Sequence, residues 1–449
     1  NSHLAENTLS SPEIPLREAL AYWLKLGFIS FGGPTAQIAM MHQELVDKKR
    51  WISERRFLHA LNYCMLLPGP EAQQLATYLG WLMHRTWGGI LAGTLFVLPS
   101  LLILILLSWI YLQFGNNPII AATFFGIKPA VTAIVLVAVI RIAKRSIHHR
   151  ILAWVAFFSF VAIFVFDLPF PLIIVSAALL GFWLGQRKPE IFNHAHQSDH
   201  AAKGGSNEKA IIDDLTPPPP HARFDRSRQI KQISFGLLLW LIPIGALVLV
   251  AGWKTLYPQL AWFFTKAVLL TFGGAYAVLP YVYQGAVEHY QWLTAAQMID
   301  GLALGETTPG PLIMIVAFVG FVAGFTHDTV LTSAGFLGGV FGAFVATWFT
   351  FLPSFLFILI GAPLIESTHG NLRLTAPLTA ISAAVVGVIA NLGIFFAYHV
   401  FFPSGVSAGP SIISLIICLI SLVLLIRLKW GVIPTIMLAG LLGILSLIF

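Results

Sequence analysis

Two carboxylates stand beside helix-breaking motifs in otherwise apolar stretches of this sequence. Glu71 directly follows Pro68-Gly69-Pro70, and Glu306 directly precedes Thr307-Thr308-Pro309. An ionisable side chain inside a long apolar segment is costly, and it usually serves a function. Either carboxylate could carry a proton or repel a wrongly placed anion, although Glu71 in a first helical turn could instead be a structural cap.

The same motifs could bind an anion through the backbone. Gly32-Gly33-Pro34 and Pro68-Gly69-Pro70 interrupt apolar segments, as do Gly273-Gly274 and Pro309-Gly310-Pro311 further along the chain. Pro removes a backbone donor and Gly weakens a helix, so each motif should end one half-helix and begin another. The first turn of a half-helix presents free N–H groups and a positive dipole end, which favours an anion. Kinks that serve packing alone are the alternative.

Polar side chains cluster at these breaks and, with the glycines, form the predicted binding set for a tetrahedral oxyanion. Hydroxyls and amides donate hydrogen bonds without burying a full charge, although hydrogen bonding between helices is the alternative for any one of them. The set is Ser30, Gly32, Gly33, Thr35, Gln37, Asn62, Gly69, Gln73, Gln74, Thr271, Gly273, Gly274, Thr307, Thr308 and Gly310. Lys25 and Lys266 each lie five residues before the Ser or Thr of a Gly-Gly motif. They could add positive charge to an anion path or extend to the membrane interface.

The elements that position these residues must be membrane-spanning helices. Of the 449 residues, 57% are hydrophobic and only 10% are charged, and the mean hydropathy is +0.82. At about 20 apolar residues per span this suffices for roughly a dozen spans, which excludes an ordinary soluble globule. We therefore predict an all-α polytopic membrane protein.

Charge and ligand motifs exclude several other classes. The net charge of +7 comes from Lys and Arg in loops between apolar segments, which indicates the positive-inside rule and not nucleic-acid binding. The two cysteines and fourteen histidines form no metal motif, and no phosphate-binding or dinucleotide-binding motif is present. We predict no cofactor, no metal and no catalytic constellation.

Composition divides the chain into two membrane halves. Residues 187–231 are polar and His-rich, with four consecutive prolines from Pro217 to Pro220, which is typical of a flexible linker. The predicted organisation is an N-terminal tail at 1–15, a first membrane repeat at 16–186, a cytoplasmic linker at 187–231 and a second membrane repeat at 232–449.

The halves repeat each other at a constant offset. Ser30-Phe31-Gly32-Gly33 matches Thr271-Phe272-Gly273-Gly274, which lies 241 positions later. Pro68-Gly69-Pro70 matches Pro309-Gly310-Pro311 at the same offset. Internal duplication of a membrane domain is typical of secondary transporters.

Loop charges orient the two halves. Residues 42–56 contain five Lys or Arg, whereas the matching residues 283–297 contain none. The positive-inside rule therefore places equivalent loops on opposite faces, so the repeats should be inverted. Every charged loop is satisfied if the helix pairs around the Gly-Gly and Pro-Gly-Pro motifs are re-entrant, which we favour because broken backbone is tolerated where it lines a cavity. Thirteen full crossings are the alternative.

The motif sequences resemble the chromate ion transporter family, in its long two-domain bacterial form. The stretches that carry the resemblance are Phe28 to Pro34, Arg50 to Glu54, Asn62 to Ala76, Thr271 to Gly274 and Thr308 to Pro311. The resemblance covers nearly the whole chain outside the linker. It implies a multi-pass protein of the bacterial inner membrane that exports chromate, driven by the proton-motive force or by exchange. It also implies two homologous halves in opposite orientations.

The predicted function is therefore secondary active export of a tetrahedral oxyanion, giving chromate resistance. The expected partners are chromate or sulfate, protons or a counter-anion, and the lipid bilayer, and a homodimer is compatible with the sequence. Glu71, Glu306, Lys25 and Lys266 are the predicted coupling residues. A passive anion channel and a membrane oxyanion reductase are the alternatives, although a reductase would need a redox cofactor or paired thiols.

Overall fold

The structure is a computed structural model that describes residues 14–115, 117–188, 210–213, 225–272, 275–328, 335–367, 375–403, 405, 407 and 409–447. These ranges are almost entirely helical, and their one β contact is an isolated bridge between Ile52 and Ile212. The predicted all-α class is confirmed.

Sixteen α-helices are defined within the described ranges. The first half contains α1 Leu16–Ile29, α2 Gly33–His42, α3 Glu54–Leu66, α4 Glu71–Phe114, α5 Pro118–Ser146, α6 Arg150–Phe166 and α7 Phe170–Arg187. The second half contains α8 Arg226–Ala251, α9 Leu256–Leu269, α10 Leu279–Tyr283, α11 Ala295–Thr307, α12 Ile315–His327, α13 Phe336–Ser367, α14 Thr375–Phe401, α15 Ile412–Ile426 and α16 Val432–Leu445. Short π-helical turns follow α2 at Gln43–Lys48 and α10 at Gln284–His289.

Length and composition make this a polytopic membrane protein. Within the described residues, six helices are long and apolar enough to cross a bilayer: α4, α5, α7, α8 and most of α13 and α14. Large apolar side chains such as Trp154, Phe158 and Leu249 point outward and are more than half exposed. An apolar exterior of this kind is suited to lipid and not to water.

The elements of the two halves recur at the offset seen in the sequence. Helices α3 and α11 begin and end 241 positions apart, and so do the two π-helical turns. Side-chain packing recurs as well. The rings of Tyr22 and Trp51 meet edge-on at 6.2 Å, and those of their counterparts Phe263 and Trp292 meet edge-on at 5.5 Å.

The chain turns back on itself beside each helix break. Within α4 the backbone leaves helical geometry at His84 and Arg85, and a Cβ on Gly80 would lie 2.5 Å from the Cβ of Ala92. The part of α4 before the kink therefore packs against the part after it. In the second half, a Cβ on Gly320 would lie 2.7 Å from the Cβ of Ala346, so α12 and α13 form the equivalent hairpin.

The helix pair around Gly32-Gly33-Pro34 also returns to the side from which it started. Lys49 after α2 forms an ion pair with Glu18 at the start of α1. The kink of α4 lies on this side too, because His84 Nε2 is 2.8 Å from the carbonyl of Ile14. Both ends of the pair therefore lie on one side of the molecule, and its re-entrant course in a bilayer stays a prediction.

The loops that follow the two Gly-Gly breaks, at 43–53 and 284–294, lie at opposite ends of the molecule. Helices α4 and α13 run antiparallel, because Trp109 packs on Phe336 at one end with ring centroids 5.8 Å apart and Gly89 packs on Leu359 at the other. We call the end with Gly89 and the loop at 43–53 the first face. The end with Phe336 and the loop at 284–294 is the second face. This arrangement agrees with oppositely oriented halves, while the membrane side of each face stays a prediction.

Most of the predicted linker lies outside the described residues. Its described part near Ile212 pairs with the loop before α3, since the Ile212 N–H donates to the carbonyl of Trp51 at 3.0 Å and its carbonyl accepts from Ser53 at 3.1 Å. Helix α8 begins at Arg226, inside the predicted linker, and it has no counterpart before α1 in the described first half.

Candidate functional site

The helix breaks of the two halves are joined by backbone hydrogen bonds. The N–H of Gly69 donates to the carbonyl of Thr271 at 2.8 Å, and the N–H of Gly310 donates to the carbonyl of Ser30 at 2.8 Å. Gly69 and Gly310 are repeat counterparts, as are Ser30 and Thr271. The two bonds are therefore related by the internal repeat, and they satisfy backbone groups that lipid could not satisfy.

The two central glycines have no room for a side chain. Their φ angles are +119° at Gly69 and +106° at Gly310, a region that L side chains rarely adopt. A Cβ on Gly69 would lie 2.5 Å from Ser354 Oγ, and one on Gly310 would lie 2.8 Å from the Cβ of Ser100. Ser100 and Ser354 occupy matching Leu-Pro-Ser sequences, so this packing is also repeated.

We call the two helix breaks joined by these reciprocal hydrogen bonds the crossed breaks. A cavity of about 90 Å³ opens beside them. Half one lines it with Gly32, Gly33, Pro34, Thr35 and Glu71, and half two lines it with Tyr276 and Glu306. Helix α5 forms a third wall, and Leu425 and Val432 of α15 and α16 complete the lining. The volume is enough for several water molecules or a small ion.

Both carboxylates singled out in the sequence lie in this cavity. Glu71 is 7% exposed and Glu306 is 8% exposed. The hydroxyl of Tyr276 donates to Glu306 Oε1 at 2.6 Å. Tyr276 is the repeat counterpart of Thr35, which lines the same cavity, so equivalent positions of both halves meet here.

Two arginines that sequence reasoning missed face the carboxylates. Arg141 and Arg145 lie one turn apart on α5 and both line the cavity. Arg145 interacts electrostatically with Glu71, and Arg141 does so with Glu306. Among the described residues neither guanidinium forms a close ion pair, and Arg145 Nη2 instead lies 3.7 Å from Met65 Sδ.

The sequence contained a signal for this pair. Four Lys or Arg lie within residues 141–150, directly after an apolar run that ends near residue 140, a pattern typical of a charged loop. Helix α5 continues to Ser146, however, and the spacing of four between Arg141 and Arg145 places both on one helix face.

The start of α2 adds backbone donors to the same cavity. Its N-cap Gly32 has a left-handed conformation, no side chain caps the helix, and Pro34 occupies the first turn. Free N–H groups at a helix N-terminus and two guanidinium groups all favour an anion. The two carboxylates opposite them can hold or release protons. The arrangement can therefore bind an anion and protons in one place.

Most of the other polar residues in the predicted binding set stabilise the breaks. The Gln37 amide donates to the Gly310 carbonyl at 2.6 Å, and the Gln74 amide donates to the Pro68 carbonyl at 2.7 Å. The Gln73 amide donates to Thr77 Oγ1 at 3.0 Å. The hydroxyls of Thr271, Thr307 and Thr308 donate to carbonyls of their own helices. Ser30, Gln37, Gln73, Gln74, Thr271 and Thr308 are all buried and none lines the cavity.

The remaining predicted residues lie away from the cavity or outside the described residues. Asn62 and Lys25 are exposed on α3 and α1. Lys266 Nζ lies 5.6 Å from the ring centroid of Trp262, which places it on the flank of α9. Gly273 and Gly274 lie outside the described residues.

One group of side chains on the first face has the composition of a metal site. His42 lies 2.7 Å from Glu54 and 3.5 Å from Asp47, and both carboxylates are exposed. The imidazole lies within hydrogen-bonding distance of Glu54, and the group is separate from the cavity.

Comparison with known proteins identifies the family. A family model described as chromate transporter matches residues 17–182 and 258–444, one stretch in each half. The chain is 33% identical to a chromate transport protein of Pseudomonas aeruginosa over 384 residues, which cover 84% of this chain and 80% of that protein. It is 30% identical to a chromate transport protein of Cupriavidus metallidurans over 389 residues, 86% of this chain and 84% of that protein.

A more distant relative extends the match. An uncharacterised transporter of Methanocaldococcus jannaschii is 26% identical over 427 residues, which cover 95% of this chain and 93% of that protein. No solved structure matches the chain. The resemblance carried by the Gly-Gly and Pro-Gly-Pro motifs is confirmed by these matches. The chain belongs to the chromate transporter family, and it is a membrane transporter and not an enzyme.

Proposed function

We propose that this protein is a secondary active transporter that exports chromate across the bacterial inner membrane. The observation that carries the proposal is the cavity in which Arg141, Arg145 and the start of α2 face Glu71 and Glu306. The names of the relatives from Pseudomonas aeruginosa and Cupriavidus metallidurans support chromate as the substrate. Sulfate is a tetrahedral dianion of similar size, so the same groups would bind it as well.

The two arginines would hold the anion. A guanidinium donates two parallel hydrogen bonds to an oxyanion and keeps its charge at any physiological pH. Arg141 and Arg145 lie in the last two turns of α5 and are not engaged in close ion pairs among the described residues. An incoming dianion would therefore meet two available cations and the free N–H groups after Gly32.

The described conformation corresponds to an inward-open state in this proposal. The cavity lies toward the end of α5 at Ser146, whereas α5 starts at the second face directly after α4. The first-face loop at 42–56 is rich in Lys and Arg, which supports a cytoplasmic position for that face. Alternating access would then close this mouth and open the crossed breaks toward the second face.

The membrane potential favours export of a dianion. Moving one charge across 100 mV is worth about 2.3 kcal/mol, so an inside-negative potential drives a dianion outward. Protons held by Glu71 and Glu306, or a counter-anion, would couple this movement to other gradients.

Inside-out vesicles test the proposal. We expect them to accumulate chromate when energised, and we expect the accumulated chromium to keep its oxidation state. Collapsing the proton-motive force should stop net accumulation. Uptake that continues at the same rate after the collapse, without counter-substrate, would support a passive channel, and reduced chromium made by the purified protein would support a reductase.

Labelling of single cysteines tests the proposed orientation. Ser53 on the first face and its repeat counterpart Thr294 both precede a helix at an N-cap position. In a background without Cys64 and Cys418, we expect Ser53→Cys to react with an impermeant maleimide from the cytoplasmic side and Thr294→Cys from the opposite side. Reaction of both cysteines from one side would exclude the inverted arrangement.

A further inference from the structure

An ion pair with a buried acid connects α5 with α11. Lys128 Nζ on α5 is 3.3 Å from Asp300 Oδ2 on α11, and the Tyr111 hydroxyl on α4 donates to the same oxygen at 2.8 Å. Asp300 is 3% exposed, whereas the Lys128 side chain is 28% exposed. The three side chains connect two helices of half one with a helix of half two, so they cross the interface along which the halves would move.

This cluster lies toward the second face. Lys128 precedes Arg141 by 13 residues, about 20 Å along α5. Asp300 precedes Glu306 by six residues, about 9 Å along α11, which starts at the second face. Tyr111 belongs to the last turn of α4, which ends at the same face. The ion pair is therefore separated from the proposed anion site and lies between that site and the second face.

An aromatic layer accompanies the ion pair. The ring of Tyr111 meets Phe124 edge-on at 5.0 Å and lies 5.7 Å from Phe318. Gly301, next to Asp300, packs so closely on Phe318 that a Cβ there would lie 2.3 Å from the ring. Apolar contacts of this kind exclude water from the Tyr111 side of the pair, between the second face and the breaks.

Energetics favour a conformational function for the pair over a purely stabilising one. An ion pair with a buried acid loses hydration, so apolar residues of similar size can be about equally stable in its place. A pair that forms in one state and separates in another does, however, bias the equilibrium between them. The repeat counterpart of Asp300 is His59, so half one has no equivalent acid at this position.

We propose that Lys128 and Asp300 form an outer gate, paired while the cavity is open to the first face and separated when it opens to the second. Tyr111 positions Asp300 for this contact. The gate biases the carrier toward its inward-open state at rest. The proposal rests on the alternating access proposed above, but it holds for any transported anion and does not depend on chromate being the substrate.

Cysteine accessibility tests the gate without any substrate. Val137→Cys on α5 lines the cavity, and it is introduced into a background without Cys64 and Cys418. Labelling rates with an impermeant maleimide are compared in right-side-out and inside-out vesicles. With the pair intact, we expect labelling mainly from the first face. Asp300→Asn or Lys128→Met should shift the ratio of second-face to first-face labelling by about fivefold or more.

Two further variants keep the test decisive. Lys128→Met combined with Asp300→Asn leaves no unpaired buried charge, so it should fold even if the single variants do not. It should show the same shift in labelling. Lys144→Met removes an exposed lysine from the same helix and should leave the ratio unchanged. A well-folded double variant with the labelling ratio of the parent protein would overturn the proposal, whatever the transport assays show.

Discussion

Replacing either cavity arginine by glutamine is expected to raise the KM for chromate about 10- to 100-fold, with little loss of folded protein. A hydrogen bond to a charged group contributes about 1.5–3 kcal/mol, and Gln keeps a donor but loses the charge and the second parallel bond. Arg141 and Arg145 both line the cavity, so each variant should be impaired. The measurement is the initial rate of chromate uptake into inside-out vesicles over a range of concentrations.

Two comparisons distinguish a binding role from a general charge effect. Arg427→Gln removes the same charge from the exposed loop before α16 and should leave KM within about twofold of the parent protein. Arg141→Lys and Arg145→Lys keep the charge but not the planar guanidinium, so their KM for chromate should lie between those of the parent protein and the glutamine variants. If both glutamine variants fold and transport with unchanged KM, the anion does not bind at these arginines.

The helix breaks could be predicted from the sequence because their cause is local. Pro68-Gly69-Pro70 cannot continue a helix in any environment, and the offset of 241 revealed its counterpart Pro309-Gly310-Pro311. Which groups satisfy the broken backbone is a property of the tertiary structure. The reciprocal bonds from Gly69 to Thr271 and from Gly310 to Ser30 connect residues about 200 or more positions apart, so no local pattern indicated them.

Charged residues were the least predictable part of the site, because their role depends on the direction of the side chain. Lys25 and Lys266 occupy equivalent positions in the repeat, yet both lie on the outer flanks of their helices. Arg141 and Arg145 interrupt no motif and resemble the flanking charges of any membrane helix, yet they face the cavity. The arginines differ from the lysines only in which face of their helix they occupy, and that depends on how α5 is rotated about its axis relative to the breaks.

The ion pair at the second face could not be predicted from the sequence either. Asp300 lies in the apolar stretch before Glu306, and Lys128 lies in the apolar stretch of α5. Each residue is conspicuous as an ionisable group at membrane depth, but nothing in the sequence connects them. Their contact depends on α11 packing against α5, which follows from the crossed breaks.

Glu71→Gln is expected to remove much of the pH dependence of chromate binding. An ionised carboxylate repels a dianion in the same small cavity and competes with it for Arg145, whereas a protonated carboxyl group does neither. Chromate affinity of the parent protein should therefore rise as the pH falls. Gln resembles the protonated acid in shape and charge. The variant should bind chromate at high pH about as tightly as the parent protein does at low pH, a gain of about 5- to 100-fold.

The alternative role of Glu71 as a helix cap gives a different result. Glu71 is the first residue of α4, and a weaker acceptor there would cost about 1 kcal/mol of stability without changing the pH profile. Affinity across a pH series and the Tm of each variant separate the two roles. Glu44→Gln, which removes a carboxylate that is paired with Lys48 and does not line the cavity, is the matched control and should retain the parent profile.

The second carboxylate completes this test. Glu306→Gln retains an acceptor for the Tyr276 hydroxyl, so the local hydrogen bond survives while the titratable group is removed. If both acids sense protons, each single variant should flatten the profile in part and the double variant should flatten it fully. A folded double variant whose chromate affinity still rises as the pH falls would show that protons act elsewhere. Coupling would then have to come from groups outside the cavity.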